Sequence, residues 1–387
     1  MRRKVCVVIN SRANYARIKS VLVELKNRSD CELQIVVGAS GLLFRFGMVI
    51  DIIKRDGFIV NREVYSVVEG NDPVVMAKTT GLALIELSQV FFDLKPDVVV
   101  TIADRHETLA TAIASSYMNI PVAHTQGGEI TGSIDESVRH ACTKLSHLHF
   151  PATNNAYNTI LQLGEEISRV HLTGCPALDL VEENKNKDIS EILHKHLRDS
   201  DSFKNLSYLL VLFHADTQHY EESTSTVIAI LRTVQEMDTP VIWLWPNVDA
   251  GTDLISKELR RFRDLNPNTK IQFVRNFSPE DFITILNNAS CIIGNSSSGI
   301  RESSRTGTPS VVIGTRQNGR EFGDNVRYLP SFDLNLLKNA VQKQVDHGRY
   351  APSVLYGDGH AGKRIAEILC TANLKIEKNF VKFEKLL

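Results

Sequence analysis

Short runs rich in valine and isoleucine alternate with longer amphipathic stretches from one end of this chain to the other. Strands buried on both faces of a parallel sheet read as continuous apolar runs, so the alternation points to βαβ units. Residues 5–9, 33–37, 97–102, 122–124 and 170–173 read as strands in the first half. Residues 208–213, 241–245, 271–274, 291–294 and 310–313 repeat the theme in the second. Helical spacing fills the intervals at 15–26, 73–94, 105–118, 137–147, 221–236 and 279–287, and again at 363–374. Asp72 before Pro73 supplies a start signal, an N-cap followed by proline in the first turn. The pattern predicts an α/β protein built from two Rossmann-like, doubly wound domains facing a cleft.

A length of 387 residues is enough for two such cores. The breaker cluster Thr173-Gly174-Cys175-Pro176-Ala177, with a charged run after it at 182–188, places the domain change near residues 174–176. The expected division is a first domain over 1–175, a second over 176–360, and a C-terminal helix over 361–387 packing back on the first. Lys and Arg total 44 against 45 Asp and Glu, a balance that argues against a nucleic-acid or membrane-surface partner. An anionic small molecule is still compatible, because one local cluster of arginines suffices. The six cysteines form no CxxC pair, and Cys6 and Cys291 sit inside apolar runs. They read as reduced core residues of a cytoplasmic protein. The apolar run at 5–9 is too short for a signal peptide or a membrane span.

No GxGxxG follows the first strand and no GxxxxGK[ST] occurs, which weighs against a dinucleotide oxidoreductase and a P-loop NTPase. Gly294-Asn-Ser-Ser-Ser-Gly-Ile-Arg-Glu302 follows a strand and precedes a helical stretch. Backbone N–H groups at such a junction suit a diphosphate, and Glu302, about two turns into the helix, suits a ribose diol. An ordinary serine-rich N-cap reads the same way. Gly314-Thr315-Arg316 leaves the next strand and brings a guanidinium to the same edge. Asp104, His214 and Asn247 each stand just past a strand, on the ligand edge of such sheets, although Asp104 also reads as a helix cap.

The densest stretch runs from His124 to His147, HTQGGEITGSIDESVRHACTKLSH. Asp135 and Arg139 share a helix face at i, i+4 spacing, which fits a catalytic pair or a simple helical ion pair. His140, His147 and His149 lack the spacing of a metal motif, so no metal is expected.

Taken together, SRANYARIK, ADRHETLA, GGEITGSIDESVRHA, WPNVDAG, IGNSSSGIRE, GTPSVVIGTRQNGRE and YGDG resemble the hydrolysing UDP-N-acetylglucosamine 2-epimerases of sialic acid biosynthesis. The epimerase half of the human bifunctional enzyme is one member. The resemblance covers nearly the whole chain. It implies a GT-B fold, a UDP-sugar substrate, no cofactor, and a homodimer or homotetramer. It also implies anti-elimination of UDP, then addition of water to give N-acetylmannosamine. By motif position it assigns catalysis to Asp104, Gln126, Asp135 and Arg139. It assigns the UDP-sugar to Arg12, Arg105, His214, Asn247, Ser296, Ser297, Glu302 and Arg316. Gly127 and Gly128 are expected to let backbone approach the sugar.

One position departs. The human loop reads HIEGGE, and here Gln126 stands where that catalytic glutamate would be. A carboxamide cannot titrate. The alternatives are a related hydrolysing enzyme acting on a UDP-diacetamido-trideoxy sugar of the legionaminic type, or an impaired UDP-sugar binder. The non-hydrolysing epimerases carry an EAGLR-like loop instead of QGGEITG. A GT-B glycosyltransferase would not need the Asp104, Asp135 and Arg139 pattern. Basic residues after Asp249-Ala250-Gly251 stand where the human relative has an end-product inhibitor site, or form a solvated helix face.

Overall fold

The structure is a computed structural model that describes residues 2–70, 73–184, 186–204, 207–215, 222–246 and 252–382. Asp72, Glu221, Asn247 and Asp249-Ala250-Gly251 lie outside the described residues. The chain divides into two compact units. Unit 1 takes the described residues of Met1–Ile130, Ile134–Asp179 and Tyr356–Leu387, and unit 2 takes Thr131–Ser133 and those of Leu180–Leu355.

Unit 1 is one parallel sheet of β1 (Arg3–Ile9), β2 (Cys31–Gly38), β3 (Arg62–Val64), β4 (Val98–Ile102), β5 (Val122–Thr125) and β6 (Leu148–Phe150). Their order is β3-β2-β1-β4-β5-β6. Alternation along β1 explains the burial of both sheet faces. Val5, Val7 and Ile9 enter one core cluster, and Cys6 and Val8 enter the other. Burial pushes the Cys6 thiol up to about 12, as befits a residue used as a small hydrophobe.

Unit 2 repeats this plan with β7 (Leu209–Leu212), β8 (Val241–Leu244), β9 (Ile271–Val274), β10 (Cys291–Gly294), β11 (Ser310–Ile313) and β12 (Val326–Leu329). The order β12-β11-β10-β7-β8-β9 is the same topology read from the other edge. Leu209 and Val211 face one core, and Leu210 and Leu212 the other. The strand order therefore reverses at a switch point in both sheets, between β1 and β4 in unit 1 and between β7 and β10 in unit 2. Ligands of doubly wound sheets bind outside the strand carboxyl ends at that point.

Several elements differ from the sequence reading. No strand forms at 170–173, where Val170 makes only an isolated bridge to His149 and the chain turns through Gly174. The helix expected at 15–26 breaks at Arg17 and Ile18 into Arg12–Ala16 and Lys19–Asn27, the first capped by Ser11. The C-terminal helix spans Ala361–Thr371 and does not continue to 387. Its Ile365 and Leu369 enter the unit 1 core, and Asp179 accepts from the Ala361 and Gly362 N–H groups at 3.0 and 2.6 Å. Beyond Thr371 the apolar spacing stops, and side chains replace helical bonding. Arg169 donates to the carbonyls of Lys375 and Glu377, and His147 Nε2 bonds that of Ile376.

The Pro73–Leu94 helix is long and apolar enough to cross a membrane by length and composition. It buries Thr79, Ala83, Leu87, Val90 and Phe91 within unit 1.

Candidate functional site

At the unit 1 switch point the chain leaves β1 into Asn10-Ser11-Arg12 and leaves β4 into Ala103-Asp104-Arg105. Asn14, on the Arg12–Ala16 helix, joins the two exits. Its Oδ1 accepts from Asn10 N–H at 3.2 Å, and its Nδ2 donates to the Ile102 carbonyl at 3.4 Å. Arg12 is half-buried there, and burial lowers its guanidinium to about 10.

Asp104 does not cap the helix that follows. Arg105 takes the cap position of His106–Tyr117, and no side chain caps it. Asp104 instead meets the guanidinium of Arg139, which projects from the Ile134–Leu145 helix and is fully buried. A second Arg139 nitrogen donates to the Glu129 carbonyl at 2.5 Å. Burial opposes the Arg139 charge, but Asp104, Glu129 and Asp135 outweigh it and raise its pKa. The guanidinium is thus fixed as a cation. Asp135 lies in the first turn of the same helix, half-buried. Arg105 is held by Glu107 in a two-point contact at 3.2 and 3.3 Å, so internal pairing engages the guanidinium expected at UDP.

The turns that leave β4 and β5 are both strained. Ala103, after β4, and Gln126, after β5, have φ of +62° and +60°, a region L-residues adopt at a cost of about 1–3 kcal/mol. His124, to which the sequence assigned no role, braces the first of them. Its Nε2–H donates to the Ala103 carbonyl at 2.7 Å, and Nδ1 accepts from the Thr143 hydroxyl at 3.2 Å. Burial is the main reason its pKa falls to about 4, so the ring is neutral. Gln126 is fully buried; its N–H donates to the Phe150 carbonyl at 2.9 Å, and its Nε2 to Cys175 Sγ at 3.5 Å.

Internal packing also calls for glycine at the two positions expected to let backbone approach the sugar. A Cβ at Gly128 would lie 2.1 Å from the Ala156 carbonyl oxygen, and one at Gly127 would crowd Thr143 and His124 at 2.8 and 2.9 Å. His147 and His149 likewise serve structure, since His149 Nε2 bonds buried Glu165 at 3.0 Å. Among the described residues no three His, Cys, Asp or Glu are grouped to hold a metal.

In unit 2, β7 and β10 converge closely. Gly294 has φ +142°, and a Cβ there would sit 1.8 Å from the Leu212 carbonyl oxygen. Asn295 bridges the two exits, its side chain accepting from the His214 N–H and donating to the His214 carbonyl, both at 2.8 Å. Gln317 Nε2 donates to the Asn295 carbonyl at 2.8 Å and ties in the loop after β11. Neither Asn295 nor Gln317 was singled out from the sequence; their only signal was position beside the serine run and Arg316.

The serines do not open a long helix. Ser296 caps a 3₁₀ turn at Ser297–Gly299, and the helix Arg301–Thr306 comes later. Hydroxyls that bond local backbone delay the helix. Glu302 is therefore its second residue, not two turns in. It is buried, and its Oε2 has no hydrogen-bond partner among the described residues. A pocket of about 510 Å³ opens at the carboxyl edge of this sheet, lined by Phe213, Ser223, Thr226, Asn295, Arg316 and Phe332 among others. A guanidinium, hydroxyls and two aromatic rings suit a polar, anionic ligand of small-molecule size.

The structure thus brings Asp104 and Arg139 into contact, with Asp135 close enough to act on the Arg139 charge, and gathers Arg12 and Asp104 at one switch point. It gathers His214, Ser296 and Ser297 at the other.

Known proteins share this fold and much of this sequence. The family pattern of UDP-N-acetylglucosamine 2-epimerase matches residues 23–370. The UDP-N,N'-diacetylbacillosamine 2-epimerase (hydrolyzing) of Legionella pneumophila is 31% identical over 97% of each chain. The GDP/UDP-N,N'-diacetylbacillosamine 2-epimerase (hydrolyzing) of Campylobacter jejuni is 32% identical over 88% of this chain and 87% of its own. The UDP-GlcNAc 2-epimerase of Methanocaldococcus jannaschii, crystallised with UDP-GlcNAc and UDP, has this fold at a TM-score of 0.77. It is 20% identical and covers 95% of this chain and 99% of its own. The chain belongs to the UDP-N-acetylglucosamine 2-epimerase family.

Proposed function

We propose that this chain is a hydrolysing 2-epimerase of UDP-2-acetamido sugars. The observation that carries the reading is the buried Asp104–Arg139 pair at the unit 1 switch point, with Asp135 on the helix of its arginine. An ionised carboxylate removes the proton at sugar C2, the C1–oxygen bond to the diphosphate breaks, and a C1–C2 double bond forms. Water then adds its hydroxyl at C1, while a proton returns to C2 from the opposite face. The products are UDP and the free 2-epimer. Arg139 fixes the carboxylate as an anion, and Asp135 is the second acid/base group. Gln126 lies on the same loop but holds no exchangeable acid proton. On unit 2, Arg316 and the Ser296–Ser297 turn take the diphosphate, and His214 and Glu302 take the nucleoside. Arg12 and Arg105 complete the expected UDP set.

For the sugar, the names of the Legionella and Campylobacter relatives support UDP-N,N'-diacetylbacillosamine. UDP-N-acetylglucosamine, giving N-acetylmannosamine for a sialic acid-type nonulosonate, is the second reading, favoured by the motif resemblance. Six cysteines that are all free fit a cytoplasmic site of action. A homo-oligomer is also proposed, because Leu82, Ile85 and Phe92 leave an exposed apolar face on the Pro73–Leu94 helix. Light scattering after chromatography should give a dimer or tetramer, and Ile85→Glu should yield monomer.

Each UDP-sugar is incubated with the protein and the products are followed by NMR. Free 2-epimer plus UDP is the expected result. An intact epimerised UDP-sugar, or no UDP release from either substrate, sinks the reading.

A further inference from the structure

The loop that leads from β5 toward Asp135 is held to the rest of unit 1 at a place the reaction itself does not explain. Gln126 is fully buried, and its amide donates to Cys175 Sγ at 3.5 Å. Cys175 is buried too, in the segment through which the chain departs for unit 2. Its own N–H donates to the Tyr356 carbonyl at 2.8 Å, on the segment by which the chain returns. Gly174 and Gly357 pack backbone to backbone beside it, with φ of +87° and +124°. A Cβ on either would come within 3.0 Å of the other's Cα. The outgoing and returning segments therefore form one closely packed pair, and Gln126 reaches that pair through the sulfur. On the other side, the N–H of Gln126 is fixed to the Phe150 carbonyl, and three residues on, Glu129 presents its carbonyl to Arg139, the partner of Asp104.

We propose that Gln126 is a positioning residue of this chain, and that its amide N–H, donated to Cys175 Sγ, aligns the Gly127–Glu129 loop and with it the Asp104–Arg139 pair. This rests on the function proposed above. The donor is the point of the amide. An ionised glutamate at 126 has only acceptors, so it meets the sulfur with no N–H to give and takes a charge into a buried place. The thiol is a weak donor and a poor substitute. A glutamine here is then a requirement of the Cys175 neighbourhood and not a lost catalytic acid. The pair should behave as a unit: a serine at 175 supplies a strong O–H donor that a carboxylate at 126 can accept.

The test is a double-mutant cycle on the full-length protein with Gln126→Glu, Cys175→Ser and the double variant, read by kcat and KM for UDP release and by thermal unfolding. Gln126→Glu is expected to lower kcat about tenfold or more, with KM within about twofold, a split that marks lost alignment and not lost binding. Adding Cys175→Ser should recover about half or more of that loss, so the serine's effect in the glutamate background is opposite to its small effect in wild type. Gln126→Glu with activity equal to or above wild type overturns the proposal, as does a cycle in which the two substitutions act additively on kcat. If wild type releases no UDP from any UDP-sugar, the functional reading fails by itself. The positioning contact is then judged on the melting temperatures of the four proteins: a non-additive cycle supports it, and additivity overturns it.

Discussion

The two units share one strand order and one switch point, yet they furnish those points with opposite chemistry. Unit 1 buries a carboxylate against a guanidinium and strains two non-glycine residues, Ala103 and Gln126, beside it. Unit 2 places an amide, hydroxyls and a half-buried arginine around a pocket of about 510 Å³. In unit 1, Asp104 and Arg139 are locked to one another. In unit 2, the Asn295 side chain spends its hydrogen bonds on the scaffold and leaves the rim hydroxyls to line the pocket. The contrast teaches that topology supplies a place for a ligand, and side-chain pairing decides what happens there. On the proposed reading, unit 1 moves protons and unit 2 holds the nucleotide.

That division can be broken. Asp104→Asn should lower kcat about a thousandfold while UDP affinity by calorimetry stays within about twofold. Equal loss of UDP binding would erase the distinction between the units. Next in size is Gly294→Ala, which forces a Cβ against the Leu212 carbonyl oxygen from a backbone conformation that alanine resists. Urea unfolding should show a loss of about 3 kcal/mol, with UDP binding abolished. An unchanged midpoint would mean that β7 and β10 separate more easily than the geometry implies.

Smaller effects sharpen the comparison. Arg316→Ala should raise KM about tenfold with kcat within about twofold, the mark of lost ground-state binding. A fall in kcat alone would move Arg316 into the chemistry. The mildest test is pH. Burial is the main reason the His124 and His147 rings fall from an ordinary 6.5 to about 4. Protonation therefore favours the unfolded chain. Their stabilising contribution is full above pH 6.5 and is lost as pH falls toward 4. Glu165 is also penalised by burial, but His149, Lys144 and Lys378 overcome that and hold it at about 2 against an ordinary 4.5. Its contribution is lost further down, between pH 4.5 and 2. Melting temperatures followed from pH 7.5 to 4.5 should decline, and His124→Gln should flatten that slope. A slope unchanged by the variant would remove His124 from the account.

The sequence made the strand framework legible where strands are buried on both faces. β1, β2, β4 and the inner strands of unit 2 carry buried apolar runs of valine, isoleucine and leucine. It missed β3, β6 and β12, which are edge strands or near them, three or four residues long, and carry charged or aromatic residues in place of a run. At the site, residues that stand just past a strand were readable from that position alone. The partnership of Asp104 with Arg139 was not, because they stand 35 residues apart and the nearer i, i+4 pairing with Asp135 competed on paper. His124, Asn295 and Gln317 escaped notice for a related reason. Their work is to bond backbone carbonyls and N–H groups across loops, and no periodicity announces such a task.

The Ala361–Thr371 helix carries a consequence for biosynthesis. Its side chains Ala361, Ile365, Ala366 and Leu369 belong to the same core as Val21, Leu22 and Leu25, near the start of the chain. As the polypeptide emerges from the ribosome, nearly all of unit 2 is available before the last piece of unit 1 has been made. The usual N-to-C order of domain completion is therefore inverted. β1 waits for the Ala361–Thr371 helix, and until that helix arrives an apolar surface on the nascent chain is the natural client of a chaperone.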